Sequence, residues 1–240
     1  RMFDLGRFRW EDSRWLSKRY HGNVFKIPMS VCEVRISELD SPDEKVQEIV
    51  QDMGHTHILL RGTPERAKLG VERGFFEPAF YGNTPDTMRF FVNRSHKRNI
   101  GVMLEISPEY LTRAVHLFEK KHPQAVNYLL ANILFWIKEY HIDGFVFRGL
   151  SENSSDFLEK AKEVIKKEDN SVLFIGEEIK GKQTRDFFDF EWNMELKAGV
   201  EEYLGTDFEK RQGKYFCLSQ PLMKGDFSNT LLLLNNCLLY

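Results

Sequence analysis

The feature that most constrains the fold is an alternation of short apolar runs with longer segments of helical periodicity, which begins at Val31. Short apolar runs are typical of buried strands, whereas apolar residues at i, i+3, i+4 and i+7 are typical of helices. The pattern predicts strands at 31–37, 57–60, 100–106, 145–150 and 172–176. It predicts helices at 42–53, 124–140 and 155–167, and another that opens at 84–86. Repeated strand–helix units imply parallel strands with crossover helices, so we expect an α/β fold.

Length and charge narrow the classes of protein that need to be considered. The 240 residues, 42% of them hydrophobic, are enough for one large barrel-sized domain. The formal net charge of -2 favours neither nucleic acid nor an anionic membrane as partner, because both would select a basic surface. The sequence contains no apolar run of 18 residues, so we expect no membrane-spanning helix.

The cysteines indicate the redox state of the compartment in which the protein is expected. Cys32, Cys217 and Cys237 lie in apolar runs, and they have neither a CxxC motif nor the spacing of metal ligands. An odd number of such residues favours buried, reduced thiols in a cytoplasmic protein. We therefore expect a cytoplasmic location, with no metal or other cofactor.

The stretch from Tyr140 to Leu150 carries the most informative pattern. Asp143 and Gly144 turn a helix end into a buried strand, on which Val146 and Arg148 share one face. This stretch resembles the fourth barrel strand of glycoside hydrolase family 13, the α-amylase family, and in particular that of the 1,4-α-glucan branching enzymes. There the strand reads roughly Asp-Gly-Phe-Arg-Phe-Asp-Gly, and its inward Arg and Asp belong to the active site. The resemblance places Val146 at the family's Arg and Arg148 at its nucleophilic Asp.

Three other segments carry the same resemblance. Residues 27–35, Ile-Pro-Met-Ser-Val-Cys-Glu-Val-Arg, are similar to the Pro-Met-Ser-Ile-Tyr-Glu-Val-His start of the branching-enzyme barrel. Residues 74–88 are similar, without a gap, to Gly-Tyr-Phe-Ala-Pro-Thr-Ser-Arg-Phe-Gly-Thr-Pro-Asp-Asp-Phe, although the family's sugar-stacking Tyr falls on or near Gly70. Residues 188–194 look like Phe-Asp-Tyr-Lys-Trp-Asn-Met near strand six. By the same resemblance, 216–219 would be strand seven and 227–240 the helix after it.

The resemblance implies a (β/α)8 TIM barrel of the α-amylase type, apparently lacking the eighth strand in this chain. We expect a lead-in segment at 1–30, extended and packed on the surface, followed by an incomplete barrel domain at 31–240. An open sheet would leave unpaired edges, so we expect a longer polypeptide to complete the barrel. An upstream β-sandwich carbohydrate-binding module, if present, would lie before Arg1.

The resemblance also places the family's active-site positions, which lie at the C-terminal ends of the strands. In chain order they are Glu105 (supporting acid after strand three), Tyr110 (a substrate-binding His), Arg148 (nucleophile), Glu177 (general acid/base), Gln220 (a second His) and Pro221 (third acid). No Asp or Glu lies between Glu209 and Asp226 to replace the third acid. One of the three catalytic carboxylates therefore remains.

Arg148 decides the chemical interpretation. Retaining glycosidases and transglycosylases need two carboxylates about 5 to 5.5 Å apart, one as nucleophile and one as proton donor. A guanidinium can neither attack the anomeric carbon nor stabilise positive charge on it. We predict an ion pair between Arg148 and Glu177, one strand away, in place of a proton donor at Glu177.

Three functional hypotheses remain open. The first is a barrel that has lost catalysis and acts as a glucan-binding, scaffolding or regulatory protein, with α-glucan or another protein as partner. The second is an active branching enzyme with a rearranged site that uses Glu105 or Glu178. The third is a protein-interaction barrel like that of the amino-acid transporter heavy chains, which the sequence resembles around strands three, four and seven. Those chains need a membrane anchor, and the segments at 27–35 and 188–194 fit branching enzymes better.

Overall fold

The computed structural model describes residues 5–23, 28–35, 44–61, 85–106, 123–149, 155–177, 187–192, 215–219 and 232–235. The helices are α1 (Ser13–His21), α2 (Glu44–Asp52), α3 (Pro85–Lys97), α4 (Pro123–Tyr140) and α5 (Ser155–Glu168), preceded by a 3-10 turn at Leu5–Arg7. The strands are β1 (Val31–Arg35), β2 (His57–Arg61), β3 (Gly101–Ile106), β4 (Gly144–Arg148), β5 (Leu173–Glu177), β6 (Phe190–Trp192), β7 (Tyr215–Ser219) and β8 (Leu232–Asn235).

The eight strands form one sheet in chain order. Strands β1 to β6 pair in parallel, and α2 to α5 lie in the connections between β1 and β5. Among the described strands, no backbone pairing joins β8 back to β1, so the sheet is not closed. The predicted α/β class is confirmed, as a partial barrel built from parallel strand–helix units.

Two expectations for the C-terminal part of the chain are wrong. Strand β7 runs antiparallel to β6, although βα repetition implied a parallel strand. Within 227–240, expected to be helical, Leu232–Asn235 is a strand that pairs antiparallel with β7. A short apolar run fits a strand and a buried helix equally well, so the periodicity of the sequence cannot distinguish the two. Because β8 is antiparallel, it is not the parallel eighth strand of a closed barrel.

The lead-in segment is partly helical, which also differs from the extended conformation expected for 1–30. Helix α1 covers Ser13–His21, and Trp15 is its buried residue. Trp10, just before the helix, stacks on the His141 ring with centroids 3.9 Å apart. The lead-in segment is therefore packed on the barrel through its aromatic side chains. The domain division at residue 30 stays a prediction.

The barrel interior and the layer between sheet and helices are separate apolar clusters. The interior contains Met29, Val31, Leu59, Met103, Val146, Leu173, Ile175, Phe190 and Trp192. On β4, Val146 belongs to this interior, whereas Phe145 and Phe147 pack in the layer beneath the helices. The alternation predicted for this strand is confirmed, and Arg148 follows Val146 on the inner face.

Aromatic packing holds β4 and β5 in register below the helices. The ring centroids of Phe147 and Phe174 are 4.5 Å apart. The Phe174 ring in turn stacks on that of Phe188, with centroids 5.0 Å apart. Gly176 makes room for this stack, because a Cβ atom there would lie 2.8 Å from a ring carbon of Phe188. The packing sets Arg148 level with Glu177, its register partner on β5.

A fully buried carboxylate, Asp143, connects four elements at the N-terminal end of the parallel sheet. Its Oδ1 accepts hydrogen bonds from Trp15 Nε1 at 2.8 Å and Arg19 Nη1 at 2.5 Å, both on α1. Its Oδ2 accepts from the Val102 N–H of β3 at 2.6 Å and lies 2.8 Å from His96 Nε2 of α3. Burial opposes ionisation, but His96 and Arg19 outweigh it and hold the pKa of Asp143 well below its usual range.

His96 bridges this carboxylate to a second one. Its Nδ1 lies 2.8 Å from Asp12 Oδ2, and its Nε2 lies 2.8 Å from Asp143 Oδ2. An ionised carboxylate only accepts hydrogen bonds, so both ring nitrogens donate and His96 is an imidazolium. Burial opposes this charge, but Asp143 and Asp12 outweigh it and raise the pKa of His96. The lead-in segment is thereby fastened to α3 and β4 by ion pairs.

Replacing His96 will test this network. We expect His96→Leu to lower the free energy of unfolding by about 3–5 kcal/mol, because it leaves two buried carboxylates short of a cation. Urea denaturation at mildly acidic pH measures the effect. The matched control is Lys97→Gln, which removes an exposed pair with Glu11 and should leave the unfolding midpoint unchanged. Equal midpoints for wild type and His96→Leu would contradict the network.

The same pair of proteins gives a pH dependence. The folded state raises the pKa of His96, so its contribution is present below the ordinary value of 6.5 and is lost as pH rises through the folded value. Asp12 and Asp143 have lowered pKa values, so their contribution is present above 3.8 and is lost as pH falls through the folded values. The stability difference between wild type and His96→Leu should therefore be largest at mildly acidic pH and shrink in alkali, as denaturation series at several pH values would show.

Candidate functional site at the barrel mouth

The C-terminal ends of five parallel strands bring five charged residues to one end of the barrel. They are Glu33 on β1, Arg61 on β2, Glu105 on β3, Arg148 on β4 and Glu177 on β5. Each lies two positions after a residue whose side chain is in the barrel interior. Because side chains alternate along a strand, all five are on the inner face of the sheet. We call this set the mouth cluster. Three glutamates and two arginines give it one net negative charge.

Arg61 is at the centre of the mouth cluster. Its Nη2 donates to Glu33 Oε1 and to Glu177 Oε2, both at 2.7 Å, and its Nη1 lies 3.5 Å from Glu105 Oε1. The Arg61 side chain is 11% exposed and that of Glu177 only 3%. Burial opposes the charge, but Glu177, Glu33 and Glu105 outweigh it and raise the pKa of Arg61. One guanidinium therefore joins three strands through three carboxylates.

Arg148 lies further out, with its side chain 40% exposed. Its Nε is 3.8 Å from Glu177 Oε1, and its Nη1 is 3.8 Å from Glu105 Oε1. The predicted ion pair with Glu177 is confirmed, but at a distance beyond a hydrogen bond. The shorter contact to Glu177 comes from Arg61 instead.

Glu33 is an acid of the cluster whose proton affinity the fold alters. Burial raises the pKa of Glu33, Arg61 opposes that effect, and the negative charges of Glu177 and Glu105 add to it. Its side chain is 16% exposed. Crowding three carboxylates around one short-range cation therefore makes ionisation of Glu33 less favourable than in an isolated glutamate.

Sequence reasoning found Arg148, Glu105 and Glu177 but missed Arg61 and Glu33. The signal was available, because Arg61 ends a buried strand two residues after Leu59 and so shares its inward parity. Tyr110, Gln220 and Pro221, as well as Glu178, lie outside the described residues. Their assigned positions stay predictions.

A separate cavity of about 560 Å³ lies at the opposite, N-terminal end of the sheet. Its walls include Trp15 and Tyr20 of α1, His57 at the start of β2 and Lys166 of α5. Burial lowers the pKa of His57 to about 4, so its ring is neutral. Two cations of its lining are held in structural pairs, Arg19 with Asp143 at 2.5 Å and Lys166 with Asp189 at 2.6 Å. We assign the candidate site to the mouth because parallel-barrel sites form at the C-terminal ends of strands.

The chain is similar in sequence to branching enzymes. No family model matches the chain. A 1,4-α-glucan branching enzyme from Fusobacterium nucleatum is 27% identical over 84% of this chain and 43% of its own length. One from Butyrivibrio fibrisolvens is 24% identical over 98% of the chain and 49% of its own length. The chain thus spans about half, or less, of the length of the curated relatives it matches. Its resemblance to branching enzymes is confirmed.

Solved structures match the fold at low sequence identity. A pullulanase from Paenibacillus barengoltzii, in complex with maltohexaose and α-cyclodextrin, gives a TM-score of 0.54 at 15% identity, over 73% of this chain and 38% of that one. A maltogenic α-amylase, AmyB, from Thermotoga neapolitana gives 0.52 at 16% identity, over 67% and 48%. The fold is therefore that of an α-amylase-type barrel. Among the helices that the structure describes, none has the length and apolar character needed to cross a membrane.

Glu33→Gln will test the electrostatics of the mouth cluster. The fold raises the pKa of Glu33, so stability is lost as pH rises above the ordinary value of 4.5 through the folded value. The neutral variant avoids this loss and should therefore be more stable than wild type at neutral pH. Urea denaturation at pH 4.5 should show little difference. Glu48→Gln, at an exposed glutamate of α2, serves as control, and a Glu33 variant less stable at neutral pH would contradict the charge crowding.

Proposed function

We propose that this chain is a branching-enzyme-like barrel that binds α-glucan at its mouth and has lost glycosyl-transfer activity. One observation carries the proposal. Both carboxylate oxygens of Glu177 face a guanidinium, Oε2 that of Arg61 at 2.7 Å and Oε1 that of Arg148 at 3.8 Å. The branching enzymes that the chain resembles are longer than it is, since it matches 43% and 49% of their lengths. The activity of the whole protein is therefore part of this proposal.

The chemistry of the mouth cluster argues against transfer. A retaining mechanism needs a nucleophilic carboxylate and an acid that gives up a proton to the leaving oxygen. Arg148 supplies no nucleophile, and a guanidinium does not serve as a base because it stays protonated. Two cations beside Glu177 would also disfavour an oxocarbenium-like transition state, which carries positive charge.

Glucan binding needs less than catalysis does. Sugar hydroxyls both donate and accept hydrogen bonds, and the mouth cluster offers carboxylate acceptors beside the half-exposed donor Arg148. A pullulanase with the same fold has been solved with maltohexaose bound. We therefore propose a neutral α-glucan as the ligand.

A second candidate function is an active branching enzyme with a rearranged site. Its support is that Glu105 and Glu177 both lie 3.8 Å from Arg148, one on each side of β4. In this hypothesis Glu105 would replace the nucleophile. We favour the first function because Arg61 contacts both of these acids. A protein-partner role and a cytoplasmic location stay predictions.

The proposal is tested on the full-length protein with amylose and glycogen. We expect retardation in glycogen-containing native gels and no new α-1,6 branches in amylose, because the binding groups remain and the nucleophile does not. Arg148→Gln should weaken the retardation. Arg14→Gln, at an exposed arginine of α1 near the opposite end of the barrel, should not.

Branch formation that Glu177→Gln abolishes would overturn the proposal in favour of the second candidate. Absence of both retardation and branching would remove the glucan-binding function and leave the protein-partner hypothesis. Equal loss of retardation in the Arg148 and Arg14 variants would indicate non-specific attraction instead of a site at the mouth.

A further inference from the structure

Arg61 occupies an unusual position in the mouth cluster, because it is the inner of two cations. Its side chain is 11% exposed, against 40% for Arg148. It makes the shorter contacts, 2.7 Å to Glu177 and 2.7 Å to Glu33, whereas Arg148 lies 3.8 Å from Glu177 and 3.8 Å from Glu105. The inner cation therefore fixes the acids, and the outer one faces the opening.

We infer that Arg61 is the positioning and specificity residue of the proposed glucan site: it holds Glu105 and Glu177 as fixed hydrogen-bond acceptors around Arg148, a set matched to neutral sugar hydroxyls. This inference rests on the proposed function. It adds which residue shapes the site.

Arg61 lies among three carboxylates. Glu33, Glu105 and Glu177 come from three different strands and carry like charges, so without a cation between them they would repel one another. Arg61 has a planar fork of donors and contacts all three. Its hydrogen bond to Oε2 of Glu177 leaves Oε1 directed to the side of Arg148.

The charge of the mouth cluster favours a neutral ligand. Three glutamates and two arginines give the mouth cluster a net negative charge, which disfavours phosphorylated or carboxylated sugars. A neutral sugar presents neighbouring hydroxyls, and each of these can donate to one carboxylate while it accepts from a guanidinium. Glu105 and Glu177 lie on the two sides of Arg148, so two neighbouring hydroxyls could each contact one carboxylate and the same guanidinium.

The first experiment measures binding of maltohexaose to the full-length protein by calorimetry. We expect Arg61→Leu to weaken binding at least about tenfold, because the acids lose their fixed geometry. Arg61→Lys keeps the charge but loses the fork, so it should fall between Leu and wild type. The control Arg14→Leu, on α1, should bind as wild type does. Maltohexaose carrying a carboxylate at its reducing end should bind wild type more weakly than the neutral sugar.

The second experiment reads the position of Glu177 without any ligand. Carbodiimide labelling followed by mass spectrometry should modify Glu177 little in wild type, more in Arg61→Leu, and to an intermediate extent in Arg61→Lys. Unfolding midpoints check that each variant is folded. If Arg61→Leu does not fold, the double variant Arg61→Leu, Glu33→Gln removes one of the crowded acids, and Arg61→Lys decides the outcome.

The two experiments separate the two ideas. If wild type does not bind maltohexaose, the proposed function fails, and the labelling alone decides whether Arg61 positions Glu177. If wild type binds and folded Arg61 variants bind equally well with unchanged labelling, the inference is overturned. Weakened binding together with increased labelling, partly rescued by lysine, supports it.

Discussion

The burial of Asp143 is the constraint on which the rest of the structure depends. This carboxylate lies at the entrance to β4 and accepts hydrogen bonds from α1, α3 and β3. An ionised group in an apolar interior persists only when its partners compensate for lost hydration. Those partners therefore have to stand at fixed positions, and they fix where β4 begins. Because β4 is five residues long, its start also determines that Arg148 ends at the barrel mouth.

Both ends of the sheet bring charged side chains together, but the charges are paired differently at each end. At the N-terminal end, carboxylates and cations pair at hydrogen-bond distance and the charges are buried. At the C-terminal end, three acids share one close arginine, while the second arginine stays farther away and half exposed. The first arrangement fastens elements together. The second leaves polar groups facing an opening, which is what a binding site for hydroxylated molecules requires.

Much of the fold could be predicted from sequence, because long periodic segments leave few alternatives. Strands β1 to β5 lie within one or two residues of their predicted ends, and the inward parity of Arg148 followed from Val146. The direction of β7 and the strand at Leu232–Asn235 could not be predicted, since short apolar runs carry no information on pairing. Arg61 was missed for a different reason. Family resemblance directs attention to known catalytic positions, whereas this cation acts at a place the resemblance does not mark.

The contacts of the mouth cluster are also distant along the chain. Arg61 and Glu177 are separated by 116 residues, and their hydrogen bond requires β2 and β5 to lie in the same sheet. Closing so long a loop is entropically costly, and local helices form well before such contacts. The mouth cluster therefore depends on long-range strand order, and no single strand–helix unit contains it. Any ligand recognised at the mouth would thus be recognised by the assembled sheet and by no isolated segment of it.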